Sequence, residues 1–372
     1  MTRCIVHIGM HRTGSTSIQE SLRGLNDRRF LYAELGDNPN HSLAMYSLFS
    51  AEPELHHIHR SNGANASTIS KYIAEMRDDL AQAVIAAEGR TLIISGEDIS
   101  ALRRDALIRL RDDFEERFDD VIIVGYVRSP MALMTSSFQH RVSLGLVDRF
   151  DPGRQYRSYQ GTFGIFDEVF GRDRVNLWKF DVESFPERCA VRDLCARLGI
   201  ELPEERIVRL NESLPRHVVS LLYTYFKVGA NGTPFITGAE RKKLLDSLTP
   251  LGNDRFRISA EVLAPILEKQ RPDICWMEAR LGQSLREEID KHRPEDVREE
   301  LDLLRIDPKV VRNVLAILAD AAPKGVKGET SEEIARLVQA LTEAQAEQRT
   351  TIGLLNSFVG NRVAALLQYI FR

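Results

Sequence analysis

The sequence predicts an α/β fold: a three-layer sandwich with a central, mostly parallel sheet and helices on both faces, extended by helices at its C-terminal end. Apolar runs of strand length (Cys4 to Ile8, Thr91 to Ser95, Val121 to Val127 and Val175 to Phe180) alternate with segments of helical periodicity. The first run passes through a glycine-bearing loop straight into a segment with Ile18, Leu22 and Leu25 on one helical face. Polar and charged residues gather where these runs end, and ligands bind at the carboxyl ends of strands in such sheets.

The first element is the most informative. After Cys4 to Ile8 comes Gly9-Met10-His11-Arg12-Thr13-Gly14-Ser15-Thr16-Ser17, and then a helix start. Loop amides and the positive end of a helix dipole converge on an anion in such a turn. The spacing of Gly9 and Gly14 matches a nucleotide P-loop, so the sandwich is read as P-loop-like. A Walker A loop, however, has Lys directly after its second Gly, where this chain has Ser15 and Thr16. The basic residue is Arg12, inside the loop. A phosphate-like group is expected there, but not ordinary ATP hydrolysis.

Tyr32 to Arg60 reads as irregular, rich in His, Asn and Pro. Ile69, Tyr72, Ile73, Met76, Leu80, Ala83 and Val84 then recur at helical spacing. The strand Thr91 to Ser95 ends in Gly96-Glu97-Asp98, and a helix over 105–118 leads to the next. That strand ends in Arg128-Ser129-Pro130, followed by a helix carrying Ser136 and Ser137. Arg128 and Ser136 are eight positions apart, a cation at a strand end and a hydroxyl two helical turns later. A guanidinium grips phosphate oxygens with two parallel bonds, which makes this pair a candidate for a second phosphate. Asp148 to Phe163 reads as a loop over the site, and the strand Val175 to Phe180 with a helix through Val191, Leu194, Cys195 and Leu198 closes the sheet.

The chain divides into a nucleotide-binding core over 1–230, a helical part over 231–322, and a linker with a terminal helix over 323–372. Thr330-Ser331-Glu332-Glu333 reads as a capping box for that helix. Ile334, Leu337, Leu341, Ala344, Ile352, Leu355, Val359, Val363, Leu366 and Ile370 follow as one apolar stripe. Such a stripe suits packing on the main domain, on a second copy of the chain as a homodimer, or on a membrane surface through Phe358, Tyr369, Ile370 and Phe371.

With 372 residues, 43% of them hydrophobic and 28% charged, the composition is that of a globular enzyme. The net charge of −4 gives no reason to expect a nucleic-acid partner. Met1-Thr2-Arg3 leads straight into a core strand, and the four cysteines lack metal-ligand spacing, so a cytoplasmic protein with reduced thiols is expected. His56, His57 and His59 have no Cys or carboxylate neighbours at ligand spacing, so no metal is expected. The charge-rich stretch 285–305 reads as a solvated helix face.

On two of these motifs the chain resembles the PAPS-dependent sulfotransferases. Arg12-Thr13-Gly14-Ser15-Thr16 is similar to that family's 5′-phosphosulfate loop, Lys-[Ser/Thr]-Gly-[Thr/Ser]-Thr, with Arg12 in place of its Lys. Arg128-Ser129-Pro130 with Ser136 is similar to its 3′-phosphate motif. Trp178-Lys179-Phe180-Asp181 and Asn211-Glu212-Ser213 are similar to stretches in bacterial members, and the resemblance spans roughly residues 3 to 230. It implies a sulfuryl transfer from 3′-phosphoadenosine 5′-phosphosulfate (PAPS) to a hydroxyl or amine of a carbohydrate, lipid or small molecule, with adenosine 3′,5′-bisphosphate as product and no metal required. His11, Arg12, Thr13, Gly14, Ser15, Thr16 and Ser17 would hold the phosphosulfate, and Arg128 and Ser136 the 3′-phosphate.

Arg12 is the expected stabiliser of charge on the leaving phosphate oxygen. An alcohol acceptor also needs a proton acceptor. Glu97 follows the strand between the two motifs, where this family commonly carries its base, and His41 in the variable segment is its rival. Two other readings stay open: a P-loop kinase-like phosphotransferase, and a non-catalytic nucleotide-binding protein.

Overall fold

The computed structural model describes residues 2–210, 213–229, 238–287, 293, 295–319 and 322–344. Strands β1 (Arg3–His7), β2 (Phe30–Tyr32), β3 (Thr91–Ser95), β4 (Asp120–Arg128) and β5 (Val175–Phe180) form one parallel sheet. Their order is β2-β3-β1-β4-β5. Helices α1 (Ser15–Leu22), α2 (Ser42–Phe49), α3 (His57–Ser61), α4 (Ala66–Ala86) and α5 (Arg104–Glu115) lie between the first four strands in the chain. They are followed by α6 (Pro130–Ser143), α7 (Ile165–Phe170) and, after β5, α8 (Ala190–Leu198).

Side-chain alternation explains why the strands read as continuous apolar runs. Cys4 and Val6 of β1, Leu92 and Ile94 of β3, and Val121 and Ile123 of β4 enter one buried cluster. Ile5, Ile93, Val124 and Tyr126 enter another on the opposite face. A parallel sheet covered on both sides leaves no polar face to mark a period of two. The first cluster takes Met76, Leu80 and Ala83 of α4, Leu107, Leu110 and Phe114 of α5, and Phe166, Val169 and Phe170 of α7. The second takes Ile18 and Leu22 of α1 with Val191, Leu194 and Cys195 of α8. The expected three-layer α/β architecture is what the structure shows.

Two compact units make up the chain, and they do not follow the linear division read from the sequence. Residues 1–133, 156–212 and 265–289 form the first, which holds the whole sheet. The described residues of 134–155, 213–264 and 290–344 form the second. Later helices are α9 (Arg216–Val228), α10 (Gly238–Leu248), α11 (Ala260–Lys269), α12 (Arg271–Leu281), α13 (Glu300–Leu304) and α14 (Pro308–Leu318). The second unit has its own aromatic centre, where Phe138 and Phe256 stack with ring centroids 5.8 Å apart and Tyr223 donates to Glu300.

Several expectations are corrected. The irregular reading of 32–60 misses α2 and α3, and the short edge strand β2 went unread before it. Ser42–Phe49 carries apolar residues around most of its circumference, so no 3.6-residue stripe stands out. The stretch 285–305 is not one solvated helix: Leu285 is buried, Glu287 is half-buried, and only Glu300–Leu304 is helical among its described residues. Of the stretch read as a loop over 148–163, residues 156–160 are pinned by Asp273, whose carboxylate accepts from Tyr156 Oη at 2.6 Å, Ser158 Oγ at 3.0 Å, Tyr159 N at 2.7 Å and Gln160 N at 2.8 Å.

The last helix runs over 331–344, with Thr330 Oγ1 accepting from Glu333 N at 3.2 Å. The rest of its apolar stripe, from Ile352 to Phe371, lies outside the described residues, as do Asn211 and Glu212. Among the described residues no helix is long and apolar enough to cross a membrane, and all four cysteines are free.

Candidate active site

The strand order places the carboxyl ends of β3, β1 and β4 side by side, with β1 in the middle. The loop after β1 is the Gly9-to-Ser15 turn. Glu97 and Asp98 follow β3 on one flank, and Arg128 ends β4 on the other. The Gly9-to-Ser15 loop, the Glu97 segment and Arg128 therefore lie together at the carboxyl end of the sheet.

Within the loop, Gly9 has φ +67°, and a Cβ there would stand 2.9 Å from Glu97 Cβ. Only glycine lets the β3 end come this close. Gly14 is the N-cap of α1 with φ 76°, a left-handed conformation. Arg12 also has positive φ, 69°, a conformation that costs a non-glycine residue roughly 1–2 kcal/mol. Strain of this kind persists where the surrounding structure imposes it, commonly at ligand sites. No side chain caps the N-terminus of α1, and no acidic residue occupies its first turn. Ser15 is buried with its Oγ lacking a hydrogen-bond partner. A helix start of this kind, with a spare hydroxyl, suits an anion.

The remaining loop residues divide by contact. Thr13 is buried and donates from Oγ1 to the Met10 carbonyl at 2.5 Å, a bond that shapes the turn. Ser17 Oγ accepts from Leu210 N at 2.9 Å and donates to Leu210 O at 3.2 Å. Thr16 is half-buried at the first turn of α1. Arg12 is half-buried, and burial lowers its pKa while the charge of Glu97 opposes the shift.

On the β4 flank, Arg128 donates from Nη1 to the Arg12 carbonyl at 2.5 Å, and its guanidinium lies 5.5 Å from the centre of the Phe180 ring. Burial pushes its pKa down to about 10, with the positive charge of Arg12 adding to the shift and Glu287 opposing it. Two half-buried cations are thus held close together. Glu287 accepts from Met131 N at 2.8 Å and Ala132 N at 2.9 Å, so a carboxylate sits at the start of α6. Ser136 is buried on α6 two turns after Pro130, within the second unit.

On the β3 flank, Glu97 Oε2 accepts from Gln19 Nε2 at 2.9 Å and Asn40 Nδ2 at 3.3 Å. Asp98 lies between two imidazoles: His11 Nε2 is 3.1 Å from Oδ1, and His56 Nε2 is 3.0 Å from Oδ2. Burial opposes the charge of Asp98, but the hydrogen bonds from His11 and His56 outweigh it and hold the carboxyl far below the usual carboxylate range. Arg157 feels the charge of Asp98, and its buried Nη1 has no hydrogen-bond partner.

His41 is placed differently from Glu97. It is 1% exposed at the start of α2, its Nδ1 accepts from Ser95 N at 3.1 Å, and its Nε2 is enclosed. Burial pushes its pKa down to about 4. His7 is similar: Nδ1 meets Ser95 Oγ at 2.8 Å, and burial brings its pKa to about 4. Both read as neutral core rings.

Asp98, His56, Gln19 and Arg157 were not singled out as site residues from the sequence. Gln19 falls on the glycine-facing side of α1 one turn after Ser15, which is a readable signal. The others depend on pairing across long separations: His56 and Asp98 are 42 residues apart. His56, His57 and Asp98 also bring three ligand-type atoms within 4.8 Å of one another, so the missing carboxylate neighbour is supplied by the fold rather than by local spacing.

No protein-family model matches the sequence, and no curated protein matches it. Among solved structures, the chain is similar to a sulfotransferase domain from the curacin biosynthetic pathway, with 17% identity and a TM-score of 0.33 over 55% of this chain and 77% of that one. It is also similar to a sulfotransferase domain from the Synechococcus PCC 7002 olefin synthase, with 17% identity and a TM-score of 0.35 over 66% of this chain and 94% of that one. Superposition this loose carries neither residues nor chemistry across, so the function is argued from the site.

Proposed function

We propose that the chain is a sulfotransferase that moves a sulfuryl group from PAPS to a hydroxyl or amine acceptor. The observation that carries this is the contact of Arg128, at the end of β4, with Arg12 in the loop after the adjacent β1, beside an uncapped helix start. Two cations kept together in a half-buried setting repel, and a doubly phosphorylated ligand removes that repulsion. The motif resemblance supports the same ligand, with the phosphosulfate against Arg12, Gly14, Ser15 and Thr16. The 3′-phosphate falls to Arg128, and the part of Ser136 rests on the motif alone.

When bound, the donor supplies a sulfuryl group on a good leaving group, the 5′-phosphate. Arg12 and the amides at the start of α1 stabilise charge that grows on the bridging oxygen. The loop fixes the line of attack, which matters because an in-line displacement needs its partners aligned. Glu97 lies beside the loop and its charge acts on Arg12. Of the two base candidates read from the sequence, Glu97 is therefore the better placed.

The test is transfer of labelled sulfate from PAPS into an extract of the source organism, with ATP plus magnesium as the control donor. Labelled product from PAPS alone is expected. Phosphate transfer from ATP would turn the reading to a kinase. Tight binding of the bisphosphate with no product would leave a nucleotide-binding protein.

A further inference from the structure

We propose that His11 is the general base of this transfer, oriented by Asp98, and that His56 positions Asp98. The inference rests on the sulfuryl-transfer reading above and assigns the proton acceptor within that site. Ile58 N donates to His56 Nδ1 at 3.3 Å, so the ring proton of neutral His56 is on Nε2. That Nε2–H donates to Asp98 Oδ2 at 3.0 Å. The backbone N–H of Asp98 donates to Ser42 Oγ at 3.1 Å, which holds the main chain of Asp98 in place. Its remaining oxygen, Oδ1, faces His11 Nε2 at 3.1 Å. An ionised carboxylate accepts only, so Nε2 of His11 carries a proton, and in the neutral ring the lone pair is on Nδ1.

The ring of His11 is open to an incoming acceptor. His11 immediately precedes Arg12, and its side chain is 35% exposed, against 15% for Asp98. Arg128 stands on the β4 flank of the loop, so a nucleotide held there leaves the β3 flank to the acceptor. Other charged groups on that flank are Arg157, Glu97 and His57, whose ring stacks on His56 at 4.5 Å. Glu97 is the rival base, but its Oε2 already takes two amide donors. A metal among His56, His57 and Asp98 would have to displace the Nε2 proton of His56. That proton cannot move to Nδ1, which faces an N–H donor.

The step balances. The acceptor hydroxyl gives its proton to Nδ1 of His11 while its oxygen forms the new bond to sulfur. The sulfur–oxygen bond to the 5′-phosphate breaks, and its electron pair stays on the phosphate oxygen beside Arg12. The imidazolium faces Asp98 and releases its proton to water after the product leaves. Asp98 and His56 touch neither reactant, so their part is positioning.

The experiment uses the full chain with nitrogen-15 in its histidines. Imidazole shifts, assigned by loss of the His11 signal in His11→Asn, are expected to show His11 as the Nε2–H tautomer. Asp98→Asn should convert it to a mixture, and His56→Gln should do so in part. In parallel, sulfate release from labelled PAPS to water at saturating donor should fall by roughly 10²-fold or more in His11→Asn and Asp98→Asn. Bisphosphate affinity should stay within about twofold of wild type in Asp98→Asn, showing that the fold and donor site persist. An Nδ1–H tautomer in the wild type, a tautomer unmoved by Asp98→Asn, or wild-type sulfate release no faster than that of His11→Asn would each overturn the proposal. A wild type that binds no bisphosphate would instead sink the donor assignment, and the tautomer result would still judge the dyad.

Discussion

At the scale of single residues, the account turns on which side chains act on charge and which on a proton. Arg12→Ala should lower turnover more than it weakens bisphosphate binding, because its contact strengthens as the leaving oxygen gains charge. Arg12→Lys, which restores the residue of the resembling family, should keep measurable activity. Turnover unchanged in Arg12→Ala would reduce the loop to a binding element. Glu97→Gln and His11→Asn can be compared directly at saturating donor. His11→Asn should lose roughly 10²-fold or more, the range typical of a lost base, and Glu97→Gln about tenfold or less through its hold on Arg12. The reverse order would return the base to Glu97.

Elements explain why some of this was legible before the structure and some was not. β1, its loop and α1 could be read because they are contiguous, and Gly9, Arg12 and Gly14 carry their chemistry within six positions. β3, β4 and β5 were readable as apolar runs. β2 has three residues, too few to show a period, and α2 is apolar over most of its surface. The clamp on Asp98 was hidden for another reason: it joins the β1 loop, the start of α3 and the β3 end, which local spacing cannot pair. The glycine at the β1 end offers a test of the element itself. Gly9→Ala places a Cβ 2.9 Å from Glu97 Cβ at a φ of +67°. A cost of at least ~1–2 kcal/mol is expected from the backbone alone, read as a lower unfolding midpoint together with weaker bisphosphate binding. A fully stable variant with intact binding would show that the loop does not need this close approach.

For the whole molecule, the buried neutral rings of His7 and His41 set a pH dependence. Burial holds both near pKa 4 in the folded chain, against the ordinary 6.5. Between those values the unfolded chain binds protons that the folded chain refuses, so stability falls as pH drops through that window. Each ring contributes up to about 3 kcal/mol by pH 4 and almost nothing above pH 7. Urea unfolding midpoints at pH 7 and pH 5 should differ, and His41→Gln should flatten the difference; a midpoint insensitive to that change would remove His41 from the explanation.

On the proposed function, the carboxyl end of the sheet around Arg12 and Arg128 holds a nucleotide with two separate phosphates. Calorimetry in the presence of a chelator, comparing adenosine 3′,5′-bisphosphate with adenosine 5′-monophosphate, tests it most directly. A charge-assisted contact is worth ~1.5–3 kcal/mol, so the bisphosphate should bind at least ~10-fold more tightly, and Arg128→Ala should erase most of that advantage. Equal affinity for the two nucleotides, or an advantage untouched by Arg128→Ala, would contradict the account.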